Sequence, residues 1–371
     1  MASAVARIRL DHLRHNLAAI RTHVPRATRV CLVVKADAYG HGAVRAARAA
    51  SAPGGADLLA VSSVDEGREL REAGIRGAVL LLGPTVPDQA GDVARWRLTA
   101  VCADVATVRA IGTANHGGPP LPVHLELDTG MHRSGCRPAK AVAVARSIAE
   151  LGGVRLEGVC THFPAADAAD LEQTRRQLAE LEVRAQEVRP HHPDLVLHAA
   201  NSAAIAAVPA SHLDLVRAGL AAYGYDPSFG GRLQGRLKPV MELSTRVTAL
   251  RRVGAGDHVS YGQEYRAAHD TVIATIAAGY GDGYPWPGGR GAALPEVRIG
   301  VDRYPLAGRV CMDHCMIDVG PRPTVRVGDR AVLFGPGGPT GADVAAWSGT
   351  IPYEVLTRVA GRVARRYAWS A

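Results

Sequence analysis

Residues 30–42 read VCLVVKADAYGHG and contain the stretch that decides the fold. An uninterrupted run of apolar and β-branched residues is typical of a strand buried on both faces, as in a parallel sheet. Lys35 stands directly after this run, where burying a charged amine is costly. The carboxyl end of a barrel strand is also where active sites are built. Lys35 is therefore the first candidate for chemistry.

Further apolar runs alternate with helix-like segments as far as residue 235. The strand candidates are 29–34, 57–63, 78–83, 98–102, 123–127, 156–162, 195–200 and 214–219. Eight such units predict an α/β fold, a TIM (β/α)8 barrel over residues 1–235. A doubly wound open sheet is the alternative. After Lys238 short β-rich segments with turn residues predict a separate, mostly β domain over 236–371.

Composition narrows the class of protein. The chain has 371 residues, a net charge of +8 and only three lysines, at positions 35, 140 and 238. The basic residues are dispersed and aromatics make up 5%, which favours an anionic small ligand over nucleic acid. No signal peptide or membrane-spanning run is evident, so we expect a cytoplasmic protein. The six scattered cysteines predict reduced thiols, and no metal site is expected.

Three features suggest a cofactor with a phosphate and a ring. Desolvation at a strand end would favour the neutral, nucleophilic amine of Lys35 that a Schiff base needs, although a lysine reaching out to solvent is the alternative. Asn201, Ser202 and Gly219 lie in the predicted last two barrel loops, where barrels often bind phosphate. Ordinary helix capping is the alternative there. Arg217, near the end of the last strand, needs an acceptor, either a pyridine nitrogen or a carboxylate.

The order of several motifs resembles the alanine racemase family. These motifs are VVKADAYGHGA (33–43), ELDTGMHRSG (126–135), THFPAAD (161–167), HAANSAA (198–204), LVRAGLAAYG (215–224), VSYGQEY (259–265), AAGYGDGYP (277–285), AGRVCMDHCMIDV (307–319) and IPYEVLTRV (351–359). They extend over nearly the whole chain. KADAYGHG is the most specific of them.

The resemblance implies a pyridoxal-phosphate (PLP) barrel and a head-to-tail homodimer whose active sites are shared between subunits. Lys35 would form the Schiff base, and Arg217, supported by His198, would meet the pyridine nitrogen. Asn201 and His162 would lie beside the cofactor. The phosphate would be held by Tyr39, Ser202, Gly219, Leu220 and Tyr353.

Racemisation needs one proton-transfer group on each face of the substrate. The resemblance gives these roles to Lys35 and Tyr261. Arg133, Met312 and Asp313 would contact the substrate, in a pocket suited to a methyl side chain. Tyr280 and Arg290 would line the access channel. The implied function is the interconversion of L- and D-alanine, which supplies D-alanine for peptidoglycan.

Two positions depart from the family pattern. Glu126 stands where many relatives have a lysine modified as a carbamate, and we expect its carboxylate to orient Arg133 directly. His132 stands where glycine is usual. The residues PWPGGRGAAL also replace the common sequence near the entrance. Substrate range is therefore less well defined by the sequence than reaction type.

Alternatives remain open. A racemase of serine or another small amino acid fits the same motifs. A PLP-dependent decarboxylase fits less well, because that reaction favours a protonated ring nitrogen and Arg217 has no readily released proton. A noncatalytic PLP-carrier protein is a third possibility, against which the β domain with Tyr261 argues.

Overall fold

The computed structural model describes residues 4–233, 235–286 and 294–369. They form two compact units. The barrel unit comprises Leu13–Ala38 and Ala43–Leu237. The β unit comprises the described residues within Met1–His12, Tyr39–Gly42 and Lys238–Ala371.

Eight parallel strands form the sheet of the barrel unit, in the order β8-β7-β6-β5-β4-β3-β2-β9. They are β2 (Arg29–Val33), β3 (Leu58–Val61), β4 (Val79–Leu81), β5 (Thr99–Cys102), β6 (Leu121–Glu126), β7 (Val154–Cys160), β8 (Val196–His198) and β9 (Leu215–Ala218). Backbone hydrogen bonds from Asp214 N to Leu197 O (3.1 Å) and from Arg217 N to Ala200 O (2.9 Å) join β9 to β8. The predicted TIM-like barrel is confirmed, and every predicted strand is present.

One helix precedes the first barrel strand, and further helices follow the barrel strands. They are α1 (Leu10–His23), α2 (Lys35–Gly40), α3 (Ala43–Ala50), α4 (Val64–Glu72), α5 (Ala90–Arg95), α6 (Val105–Ala114), α7 (Ala141–Ala149), α8 (Glu172–Val188) and α9 (Ser202–Ala207). Side chains define several starts: Asp104 caps α6, and Ser63 forms a capping box with Glu66 on α4. Among the described helices, none has the length and apolar character needed to cross a bilayer.

The β unit is built on a second sheet. Its strands are β1 (Val5–Arg9), β10 (Met241–Val253), β11 (His258–Val259), β12 (Tyr265–Arg266), β13 (Thr271–Ile276), β14 (Glu296–Ile299), β15 (Asp302–Pro305), β16 (Cys315–Asp318), β17 (Arg330–Phe334) and β18 (Ala364–Ala368), with helices α10 (Gly341–Trp347) and α11 (Pro352–Thr357). The order of the main sheet is β15-β14-β17-β10-β1-β18, and β13 pairs with β10 and β16. Strands β11 and β12 pair with each other in a separate two-stranded sheet.

The division into units differs from the predicted one at the amino terminus. The predicted boundary between 235 and 236 is close to Leu237, where the barrel unit ends. With only this one boundary, however, the prediction assigns β1 to the barrel domain. In the structure β1 lies between β10 and β18 in the β-unit sheet, because its ladder partners are supplied by residues more than 200 positions later.

Candidate active site

Lys35 begins α2 just after strand β2, as predicted, and its side chain is half-buried. In the described part of the chain its amine has no hydrogen-bond partner. Burial lowers the pKa of Lys35, and the positive charges of Arg133 and Arg217 lower it further, against the opposing effect of Glu66. These effects increase the fraction of neutral amine, which is the nucleophilic form.

The turn that carries Lys35 is left-handed. Residues 36–39 have φ between 51° and 55°, and Gly40 follows at 80°. Consecutive non-glycine residues rarely adopt this conformation, which costs roughly 1–2 kcal/mol for each residue. The backbone still closes a helical hydrogen bond from Ala38 N to Val34 O, at 2.8 Å. Such strain is kept only where surrounding groups fix it.

Glu66 is one group that fixes this turn. Its Oε1 accepts a hydrogen bond from Ala36 N at 2.7 Å, and its Oε2 accepts from Ser62 N at 2.6 Å. The same Oε2 accepts from Ser63 N at 3.2 Å, as part of the capping box of α4. One carboxylate therefore holds both the residue after Lys35 and the start of α4.

Arg217 lies on β9 and is 5% exposed. Its Nη2 donates to Thr161 O at 2.9 Å and to Ala199 O at 2.8 Å, and its Nη1 donates to His198 Nδ1 at 2.7 Å. Nη2 also lies 3.3 Å from His162 Nδ1. No carboxylate lies within 4 Å of this guanidinium, and its Nε has no protein acceptor, among the residues that the structure describes. Two acceptors were possible for Arg217, a pyridine nitrogen and a carboxylate, and the described residues provide no carboxylate.

The two histidines beside Arg217 are held neutral. Burial, with the charge of Arg217 next in importance, lowers the pKa of His162 to about 3. The same two causes lower the pKa of His198 far below its ordinary value. Arg217 is thus surrounded by neutral acceptors, and its positive charge is not cancelled locally.

The loops after β8 and β9 meet at Ser202. Its Oγ accepts hydrogen bonds from Gly219 N at 3.0 Å and Ala221 N at 3.2 Å. Asn201 caps α9, accepting from Ala204 N at 3.1 Å. Leu220 begins the 3-10 turn Leu220–Tyr223. The Ser202 oxygen accepts from these two amides and its own hydroxyl proton is still available to donate, and a hydroxyl beside gathered backbone amides is the kind of setting in which proteins bind a phosphate.

The structure does not show the expected contact between the Glu126 carboxylate and Arg133. Glu126 Oε2 accepts from Ser134 Oγ at 2.7 Å, and the described residues contain no Glu126–Arg133 ion pair within 4 Å. His132 has φ 57°, a conformation that explains why glycine is common there. Asp128 holds it, since its carboxylate accepts from His132 N at 2.8 Å and lies 3.0 Å from His132 Nδ1.

The β unit carries the remaining predicted residues. The rings of Tyr39 and Tyr353 have centroids 6.0 Å apart. Tyr261 begins the 3-10 turn Tyr261–Gln263 and is 71% exposed, while Met312 is 54% exposed. Tyr280 stacks on Trp286 with centroids 6.4 Å apart.

Asp313 and Arg290 complete the predicted set. Asp313 Oδ1 accepts from Arg362 Nη2 at 2.8 Å, and Arg362 Nε also donates to Asp282 at 2.8 Å. Arg290 lies outside the described residues. Reasoning from sequence missed Arg362 and Glu66. The sequence does contain a signal for Glu66, because Ser63 and Glu66 have the spacing of a capping box.

Comparison with known proteins identifies the family. The family model for the alanine racemase N-terminal domain matches residues 8–227, and the model for the C-terminal domain matches residues 240–367. This chain belongs to the alanine racemase family. The alanine racemase of Treponema pallidum subsp. pallidum is 42% identical, over 99% of this chain and 100% of the relative. That of Desulfovibrio desulfuricans is 40% identical, over 98% and 97%.

Solved structures of alanine racemases agree in fold as well as sequence. The enzyme from D-cycloserine-producing Streptomyces lavendulae has a TM-score of 0.89 at 35% identity, covering 100% of this chain and 98% of that one. The biosynthetic alanine racemase of Pseudomonas aeruginosa has a TM-score of 0.87 at 35% identity, covering 99% and 100%. The resemblance inferred from the motifs is confirmed.

We predict that Glu66→Ala destabilises the Lys35 turn. The change leaves the amides of Ala36, Ser62 and Ser63 without their acceptor, and the loss of such a cap costs about 0.5–2 kcal/mol. Chemical denaturation should show this loss of unfolding free energy, accompanied by weaker PLP binding. Glu69→Ala, an exposed glutamate on the same helix, is the control. Equal stability and PLP affinity in the two variants would contradict the role of Glu66.

Proposed function

We propose that this chain is a PLP-dependent alanine racemase that interconverts L- and D-alanine by a two-base mechanism. The observation that carries the proposal is the half-buried Lys35 amine at the carboxyl end of a barrel strand, with a lowered pKa and a strained turn behind it. Membership of the family supports the same reaction. The product, D-alanine, would serve peptidoglycan synthesis. A cytoplasmic location stays a prediction from the sequence.

The residues of the barrel unit fit the cofactor. Lys35 would hold its aldehyde carbon, and Ser202 with the amides of Gly219 and Leu220 would hold its phosphate. The family resemblance adds Tyr39 and Tyr353, which belong to the β unit, as further phosphate ligands. Arg217 would donate to the ring nitrogen, since its Nε lacks a protein acceptor in the described residues. Asn201 and His162 would lie beside the ring. When bound, PLP withdraws electrons from the substrate α-carbon and so acidifies its proton.

Proton transfer on the two faces would be divided between Lys35 and Tyr261. The Lys35 amine can take up or return a proton because burial and neighbouring cations favour its neutral form. Tyr261 would serve the opposite face through its phenol oxygen. One group on each side of the α-carbon is the minimum that inversion requires.

A homodimer would let Tyr261 act in the site of a second subunit. Tyr261, Met312, Tyr280 and Trp286 are large side chains of the β unit that are 71%, 54%, 43% and 45% exposed. Large exposed side chains of this kind are what an interaction surface would use. Met312 and Asp313 would then reach the substrate from the partner, and Arg133 would bind its carboxylate. Tyr280 and Arg290 would line the access channel.

We predict that Tyr261→Phe abolishes alanine racemisation but leaves PLP bound. Removing the phenol hydroxyl deletes one of the two proton-transfer groups, and such groups contribute about 10²–10⁴-fold to rate. The assay follows conversion of L-alanine to D-alanine, with cofactor absorbance as the check on binding, and Tyr304→Phe on β15 is the matched control. A wild-type protein that binds PLP but never racemises an amino acid would favour the carrier alternative. Faster turnover of serine would favour the serine alternative.

We further predict that Arg217→Glu increases transamination relative to racemisation. Arginine has no readily released proton, whereas a carboxyl group can share one with the ring nitrogen and so strengthen the electron sink. The ratio of pyruvate to D-alanine formed from L-alanine measures the partition. Arg146→Glu, at an exposed arginine of α7, makes the same charge change elsewhere. An unchanged ratio in a folded, PLP-binding Arg217→Glu variant would refute the role of Arg217.

A further inference from the structure

A line of polar side chains leads from Arg217 across strands β9, β8, β6 and β7 of the barrel unit. Arg217 Nη1 lies 2.7 Å from His198 Nδ1, and His198 Nε2 lies 2.7 Å from His124 Nδ1. The other ring nitrogen of His124, Nε2, lies 3.6 Å from Oε1 of Glu157. Both histidines are buried, whereas the Glu157 side chain is 25% exposed.

The donor and acceptor roles along this line follow from two facts: arginine can only donate, and both imidazoles are neutral. Arginine has no acceptor, so His198 Nδ1 must accept from Arg217. Because burial keeps His198 neutral, its single proton is on Nε2, which donates to His124 Nδ1. Burial also lowers the pKa of His124, so its proton is on Nε2. Each step therefore donates away from Arg217 and towards Glu157.

The local strand geometry is adapted to this arrangement. Val123 pairs with Leu156 but His124 pairs with Gly158, which makes Glu157 the extra residue of a β-bulge. Bulges redirect side chains. A Cβ on Gly158 would lie 2.8 Å from His124 Nδ1 and 2.8 Å from Val196 O, so only glycine fits beside the ring.

His124 Nε2 needs an acceptor. The atom is buried, and no group lies within hydrogen-bond distance of it in the described residues. The Glu157 carboxylate is close enough that a small side-chain rotation would complete the bond. The neighbouring His124 ring and then the Arg155 guanidinium lower the pKa of Glu157, which keeps it ionised.

We propose that Glu157 is a positioning residue of the racemase site, whose carboxylate ends the donor chain through His124 and His198 and thereby holds Arg217 in place. The proposal deepens the proposed function and rests on it, because that function places Arg217 at the cofactor. It also accounts for how a buried guanidinium is retained without a carboxylate within 4 Å in the described residues. The negative charge is supplied at a distance, through two neutral rings whose N–H groups both point away from Arg217 and towards Glu157.

Nitrogen-15 NMR of the histidine-labelled, PLP-loaded protein tests the chain directly. We expect His124 and His198 to be protonated at Nε2 alone, with Nδ1 acting as acceptor in each ring. Protonation of His198 at Nδ1, or at both nitrogens, would overturn the proposal. This measurement uses the wild-type protein and does not depend on whether a variant folds.

Glu157→Gln tests the functional consequence. It keeps the side-chain shape but removes the charge, so the His198 resonances should shift and kcat for alanine should fall roughly tenfold with little change in KM. The matched control is Glu180→Gln, which removes an exposed carboxylate paired with Arg184 on α8. Wild-type His198 resonances, or a kcat equal to that of the control, would overturn the proposal.

The two proposals fail in different ways. If the wild-type protein racemises alanine but Glu157→Gln behaves like the control, only the role of Glu157 is lost. If the wild-type protein shows the expected tautomers but racemises no amino acid, the donor chain stands as a structural feature. The proposed function, and with it the positioning role, is then rejected.

Discussion

The rest of the site depends on the buried positive charge of Arg217 and on the hydrogen bonds that hold it. A guanidinium that is 5% exposed must be stabilised by protein groups, and here two carbonyl oxygens and two imidazoles accept its hydrogen bonds. Since these acceptors are neutral, none of them offsets the positive charge of Arg217. It contributes to the lowered pKa of Lys35, His162 and His198. A single buried cation thus favours the neutral form of the amine and of both imidazoles.

The backbone conformation after Lys35 makes a second contribution to the site. Strand β2 delivers Lys35 to the carboxyl end of the parallel sheet, where the chain turns in a left-handed sense. This conformation is unfavourable for the alanines and tyrosine that adopt it, so it requires external support. Glu66 provides part of that support through the amide of Ala36. A helix cap that is ordinary in sequence thereby supports the backbone next to Lys35.

Much of this fold was predictable because buried parallel strands leave continuous apolar runs in the sequence, and all eight barrel strands were found in this way. Strand β1 was not placed correctly, since its partners β10 and β18 are supplied from far along the chain. The left-handed turn was missed because KADAY contains residues that also form ordinary helices. Glu157 was missed because a one-residue bulge leaves no pattern in the sequence. His132 was noted as a departure, but its positive φ and its contact with Asp128 required the structure.

The central claim is that Lys35 carries PLP, and borohydride reduction of the PLP-loaded protein followed by peptide mapping tests it most directly. Reduction makes the bond between cofactor and lysine permanent, so the modified peptide identifies the residue. The chain has only three lysines, at positions 35, 140 and 238, which makes the result unambiguous. We predict that the pyridoxyl group is found on Lys35 alone. Its recovery on Lys140 or Lys238, or on no lysine, would contradict this account of the site.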